Sequence, residues 1–205
     1  MKLMSIAASV AVASLSIVLA HCQSSGCSTT GTASCTNTSV VANLCCFESP
    51  GGLMLQTQFW DTNPSTGPVD SFTIHGLSSD NCDSTFSENC DPSRAYTNMA
   101  SLLESNGASN TLDFMSKFWV DINGQNEHFW ENVWATHGTC MSTLNPSCLP
   151  KGSARGAEAV AYFRTVITWY FNLKGSMIDG TFVPIDAPKT GSCPSTGIKY
   201  PPKAK

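Results

Sequence analysis

Ten cysteines behind an apolar N-terminal segment constrain the fold of this chain more than any other feature. They are Cys22, Cys27, Cys35, Cys45, Cys46, Cys82, Cys90, Cys140, Cys148 and Cys193. This pattern indicates a disulfide framework that forms in an oxidising compartment. Spacing alone leaves the pairing open. The Cys-x-x-Cys spacing of many zinc sites does not occur, so we expect no metal site.

The first 20 residues have the pattern of a secretory signal peptide. Lys2 precedes an apolar run from Ile6 to Leu19, and Val18 to Ala20 form a small-residue cleavage site. The alternative is an N-terminal membrane anchor, but the run is short beside the roughly 18 residues that a span needs. We expect a soluble mature protein that is secreted or delivered to the vacuole.

Length and charge limit the expected partners. Residues 21–205 suffice for a single domain with a sizeable core. The net charge of −4 becomes one unit more negative when Lys2 is removed. It argues against an extended basic groove along a nucleic acid and favours local binding of one or two nucleotides. We expect a monomer without DNA-specific binding or a membrane partner.

A short buried helix is predicted within Phe129–Cys140, FWENVWATHGTC. One face carries Phe129, Val133 and His137, and the neighbouring ridge carries Trp130 and Trp134. Gly138 is expected to cap the helix, which places His137 in the last turn. There the helix dipole favours the protonated imidazole.

A second histidine lies in a strand pattern, FTIHGLSSDNC. Phe72 and Ile74 face one way, Thr73 and His75 face the other, and Gly76 is expected to end the strand. Two histidines at the ends of rigid elements, each next to a cysteine-anchored turn, indicate a general acid and base pair. The alternative is a pair of structural histidines.

Both segments resemble the active-site segments of the ribonuclease T2 family in its fungal secreted form. The resemblance covers about Cys27–Arg164 and Trp169–Lys203. It implies an α+β fold with a mainly antiparallel sheet flanked by helices. It also implies cleavage of RNA without a metal or cofactor, in which the ribose 2′-hydroxyl attacks phosphorus and leaves a 2′,3′-cyclic phosphate. His75 and His137 match the proton-transferring pair, and such groups contribute typically ~10²–10⁴-fold each.

The resemblance implies four disulfides: Cys27–Cys46, Cys35–Cys82, Cys45–Cys148 and Cys90–Cys140. Cys193 is left without its usual partner, and Cys22 has no counterpart; the two pair with each other or are free thiols. In addition, a helical pattern to Ile167 runs into a strand pattern from Trp169 without turn residues. These observations predict an internal deletion near Thr165–Thr168, from a truncated paralogue or a mispredicted intron boundary.

Several positions depart from the family pattern. Val133, Thr136 and Asn132 stand where the family has Glu, Lys and His. Thr136 and Asn132 still offer hydrogen bonds to a phosphate oxygen, whereas Val133 offers neither charge nor hydrogen bond. Each loss of this kind costs roughly 10²–10³ in rate in related settings. Glu131 projects about 200° from Val133 on a helix, so it is no obvious substitute.

Base recognition is altered as well. Ser78 and Ser79 replace the family's Trp-Pro, whereas Asp80 and Phe86 lie where the family has a base-binding acid and a stacking aromatic. Phe86 is alternatively a loop aromatic that packs on the disulfides. Two hypotheses remain: a weakened secreted endoribonuclease, or a non-catalytic descendant that binds RNA, nucleotides or another partner. Asn37-Thr38-Ser39 is an expected N-glycosylation site.

Overall fold

The computed structural model describes Cys35 and residues 43–168. Several predictions fall outside these residues. They concern the signal peptide, Cys22, Cys27, Cys193, the glycosylation site at Asn37 and the strand pattern that begins at Trp169. No helix in the described part is long and apolar enough to cross a membrane.

Two strands and four helices make up the described chain, together with four short 3-10 turns. In chain order the elements are β1 Gly51–Phe59, β2 Thr73–Asn81, α1 Met99–Ser105, α2 Ser109–Phe118, α3 Asn126–Thr136 and α4 Ala157–Thr168. The 3-10 turns are Pro92–Arg94, Gly138–Cys140, Ser142–Leu144 and Pro146–Cys148. β1 and β2 pair antiparallel, and the helices pack around them, which confirms the α+β fold class.

Strand β2 extends further than its sequence predicted. It continues through Gly76, which pairs with Thr57, and ends at Asn81. A Cβ atom at Gly76 would lie 2.8 Å from Cγ1 of Val133. The glycine therefore allows close approach of β2 to α3 and does not mark a turn. Our prediction that the strand ends at Gly76 is wrong.

Helix α4 forms the centre of the core. Its Tyr162 and Phe163 are fully buried beside the equally buried Trp119 and Trp134. The hydroxyl of Tyr162 donates to the carbonyl oxygen of Leu77 at 2.8 Å and accepts from the Leu77 N–H at 3.3 Å. Because both polar groups of this β2 residue are satisfied from α4, the strand is held firmly against the core.

Three predicted disulfides are confirmed: Cys35–Cys82, Cys45–Cys148 and Cys90–Cys140. Cys46 is disulfide-bonded as well, and its predicted partner Cys27 lies outside the described residues. The Cys90–Cys140 bond joins the loop after β2 to the turn after α3. Two segments that are 50 residues apart in the chain are thereby held together close to His137, which precedes Cys140 by three positions.

Candidate active site

His75 lies on β2 and is positioned by two tryptophans. Nε1 of Trp119 donates to the carbonyl oxygen of His75 at 3.1 Å. Nε1 of Trp130 donates in turn to the carbonyl oxygen of Trp119 at 2.8 Å. The imidazole ring contacts the edges of two phenylalanines, with ring centres 5.1 Å from Phe59 and 6.0 Å from Phe129. The buried Trp119 therefore holds the backbone of His75, and Phe59 and Phe129 hold its ring.

His137 directly follows the last residue of α3, and its N–H donates to the carbonyl oxygen of Val133 at 3.0 Å. Gly138 opens a 3-10 turn and does not adopt the left-handed conformation that is usual for a glycine cap, so our prediction that it caps the helix is wrong. A Cβ atom there would lie 2.2 Å from Cε3 of Trp134. The glycine thus lets the chain pass over the buried indole ring.

The two histidines line one cleft of about 190 Å³. Its other lining residues are Thr57, Gly76, Leu77, Ser78, Asp80, Phe86 and Glu88. The structure therefore brings together four of the predicted site residues, His75, His137, Asp80 and Phe86. The segment that carries Phe86 folds back on β2, since its backbone forms a β-bridge with Asp80.

Asn132 and Thr136 do not line this cleft. Asn132 is exposed on α3, and Thr136 is half-buried at its end. The Oε1 atom of Glu131 accepts a hydrogen bond from the Asn98 N–H at 2.7 Å. Glu131 is thereby directed to the start of α1, as expected for a residue that projects away from Val133. Val133 itself is 2 % exposed, in apolar contact with β2.

Burial is the largest influence on the pKa of each of the two histidines. It lowers the pKa of His75 below its ordinary value. Burial also lowers the pKa of His137, the charge of His75 lowers it further, and Glu88 and Asp80 oppose the change. Our prediction that the helix dipole favours protonated His137 is therefore overridden by desolvation. Nδ1 of His137 is buried and has no hydrogen-bond partner among the described residues.

A second cleft of about 290 Å³ is also lined by His75. Phe59, Phe129 and Ile122 supply its apolar lining, and Asp61 and Asp121 also line it. Sequence analysis missed this cleft. Its only signal was Ile122, the apolar residue of the otherwise polar stretch Asp121–Asn126, and this side chain is 65 % exposed.

The loop beside the second cleft is held by short polar contacts. Thr66 Oγ1 donates to the carbonyl oxygen of Asp121 at 2.9 Å, and Ser65 Oγ donates to that of Ile122 at 2.8 Å. The border of the cleft is therefore built from two segments, 63–66 and 120–122. Among the described residues, no three His, Cys, Asp or Glu side chains are grouped to hold a metal ion.

The chain resembles known proteins in sequence and in structure. The model of the Ribonuclease T2 family matches residues 51–178. Ribonuclease Le2 of Lentinula edodes is 49% identical over 236 aligned positions, which cover 88% of this chain and 98% of that protein. Ribonuclease T2 of Aspergillus oryzae is 38% identical, covering 83% of this chain and 81% of its own.

A solved structure agrees with these matches. The crystal structure of Actibind, a T2 ribonuclease, superposes with a TM-score of 0.74 at 36% identity, over 87% of this chain and 98% of that one. A family match across more than half of the chain, relatives aligned over 98% and 81% of their own length, and a shared fold are in agreement. The chain belongs to the ribonuclease T2 family.

Proposed function

We propose that this protein is a secreted endoribonuclease that cleaves RNA through a 2′,3′-cyclic phosphate. The observation that carries the proposal is the meeting of His75 and His137 in one cleft, although they come from segments 62 positions apart in the numbering. Family membership supports the same activity. No cofactor is required, since the reaction needs only proton transfers and a bound phosphate.

The two histidines supply the proton transfers as a pair. A neutral imidazole takes the proton of the ribose 2′-hydroxyl while the new P–O2′ bond forms. A protonated imidazole donates its proton to the 5′-oxygen as the P–O5′ bond breaks. Because the charge of His75 disfavours the charge of His137, the singly protonated pair is the favoured state over an interval of mildly acidic pH.

The two clefts that share His75 support binding of two nucleotides, one on each side of the scissile phosphate. Phe86 is 59 % exposed beside the first cleft, which favours base stacking over packing on the disulfides. Asp80 offers a carboxylate to the donors of that base. The second cleft offers Phe59 and Phe129 as apolar walls for the other base.

Catalysis in this protein is weaker than in a family member that has the full set of charged groups. Val133 is buried and apolar, and Asn132 and Thr136 lie outside the cleft. No lysine or arginine is among the described residues that line either cleft. Stabilisation of the developing phosphorane charge is therefore reduced, by roughly 10²–10³ in rate for each missing group.

The same substitutions support a second candidate function, a secreted protein that binds RNA or nucleotides without cleaving them. Its two clefts and the exposed Phe86 are available for binding although Ser78 and Ser79 replace the family's Trp-Pro, whereas the charged groups for catalysis are missing. The signal-peptide pattern and the disulfides support secretion. We propose that the secreted protein is a monomer glycosylated at Asn37.

An alignment of 236 positions exceeds the 205 residues of the chain, which supports an internal deletion near Thr165–Thr168.

Cleavage assays distinguish the two functions. The purified protein is incubated with a dinucleoside phosphate and with bulk RNA in EDTA at about pH 5, in the mildly acidic range that favours a singly protonated histidine pair. His137→Ala removes a cleft histidine, and His128→Ala is its matched control, since His128 is exposed on the same helix and lines neither cleft. We expect cyclic phosphate product that disappears only in His137→Ala.

Two results contradict the proposed activity. Product that persists in His137→Ala indicates a contaminating nuclease or another mechanism. A folded wild-type protein that forms no product is a binding protein, and its affinity for the uncleavable 2′-deoxy dinucleotide is then the quantity to measure.

A further inference from the structure

Three acidic or basic side chains surround His137. His75 and Asp80 face it from β2, and Glu88 faces it from the loop after β2. The carboxylates of Asp80 and Glu88 line the cleft with both histidines, and no lysine or arginine is among the described residues lining it. Any electrostatic support for a positively charged His137 must therefore come from these two carboxylates.

The backbone next to Glu88 is tied to the segment that carries His137. The Asn89 N–H donates to the carbonyl oxygen of Thr136 at 3.0 Å. One residue further, Cys90 is bonded to Cys140. The hydrogen bond ends at Thr136, before His137, and the disulfide ends at Cys140, after it. Glu88 is consequently held beside His137 although its side chain is exposed.

The other acidic residues near α3 are engaged elsewhere. Glu131 accepts from the Asn98 N–H, and Glu127 accepts from the Ala100 N–H at 3.2 Å, so both bind the start of α1. Asp80 accepts hydrogen bonds from a nucleotide base in the proposed complex. Glu88 is the remaining carboxylate of the cleft, and it opposes the effect of burial on the pKa of His137 more strongly than Asp80 does.

We propose that Glu88 is a positioning residue that stabilises the imidazolium form of His137, in place of the carboxylate that position 133 lacks. The inference rests on the proposed function for its catalytic meaning. Whether His137 gives a proton to the leaving oxygen or takes one from the 2′-hydroxyl, it is an imidazolium at one stage of the reaction. A carboxylate across the cleft favours that stage in both cases.

The test is an NMR titration of the His137 ring protons in the full chain. Glu88→Gln should lower the midpoint of His137 by about 0.2–0.7 pH unit, as expected for two partly solvated charges that face each other across a cleft. Glu88→Asp should restore part of the shift. The matched control is Glu104→Gln, which removes the same charge from an exposed site on α1 and should leave the midpoint unchanged.

A His137 midpoint that Glu88→Gln does not move overturns the proposal, whatever the activity. A cleavage-competent enzyme should also show the corresponding limb of its pH–rate profile displaced in the same direction. A shifted midpoint in a protein that cleaves no RNA upholds the electrostatic role of Glu88 and refutes the catalytic function alone. Failure of the proposal for Glu88 is thus distinguishable from failure of the proposed ribonuclease activity.

Discussion

The indole N–H of Trp119 donates a hydrogen bond to the carbonyl oxygen of His75 at 3.1 Å. Trp119 is fully buried, and its ring lies 5.3 Å from that of Phe163 in α4, centre to centre. A candidate catalytic residue on the only sheet of the described chain is therefore bonded directly to the hydrophobic core. This contact couples the stability of the core to the geometry of the site.

Trp119→Phe should reduce both stability and cleavage. The substitution keeps an aromatic ring but leaves the carbonyl oxygen of His75 without its donor, at a cost of about 1–3 kcal/mol. Urea denaturation measures the free energy of unfolding. Trp130→Phe is the matched control, because it loses a bond to Trp119 and none to His75. Equal cleavage rates per folded molecule in the two variants would contradict the coupling.

Gly76→Ala should destabilise the protein by about 1–3 kcal/mol through overpacking against Val133. The added Cβ would lie 2.8 Å from Cγ1 of Val133. Val133→Ala removes that methyl group, so the double variant should lose less stability than the sum of the two single variants. Strict additivity in the thermal unfolding of the four proteins would show that the strand and helix do not meet at this point.

Val133→Glu combined with Thr136→Lys should raise the cleavage rate by about 10²-fold, because it returns the charged groups that the family pattern has four positions and one position before His137. The control, Val133→Gln with Thr136→Met, alters size at both positions without adding charge. Circular dichroism establishes that each variant is folded, which is needed because Val133 is 2 % exposed. A folded double variant with unchanged kcat/KM would refute the explanation of weak activity by missing charge.

Stability should fall as the solution becomes acidic. The pKa values of His75 and His137 are lowered by burial, so the unfolded chain binds protons first. The free energy of unfolding therefore decreases as pH falls from roughly 6.5, the ordinary histidine value, towards the lowered pKa values. His137→Asn should show a shallower decrease than the wild type. A steeper decrease would mean that the folded protein stabilises the charged form.

Phe86→Ala should weaken binding of a dinucleotide by ~1–3 kcal/mol, the contribution of one stacked base. Fluorescence titration with a 2′-deoxy dinucleotide, which cannot be cleaved, measures this affinity. Phe114→Ala is a suitable control because Phe114 is 38 % exposed on α2 and lines neither cleft. Equal affinities in both variants would remove Phe86 from the binding site.

Local patterns predicted the elements that carry the site. The spacing of Phe129, Val133 and the two tryptophans led to helix α3, and the alternation around Ile74 led to strand β2. Two glycines, one in strand β2 and one after helix α3, were misinterpreted. Gly76 and Gly138 were assigned to a strand end and a helix cap, but each accommodates a neighbouring side chain. Gly76 approaches Val133, which is distant in the chain, and Gly138 approaches Trp134 in the preceding helical turn. Neither contact produces a periodic pattern in the sequence.

The sequence by itself determined the identity and order of the reactive groups: two histidines in two segments, the cysteines, and the uncharged Val133, Thr136 and Asn132. These follow from covalent order and short-range periodicity. Only the tertiary structure decided that Glu88 faces His137, that a second cleft opens beside His75, and that burial overrides the helix dipole at His137. Desolvation and approach between distant residues depend on packing, which exists only once the chain has folded.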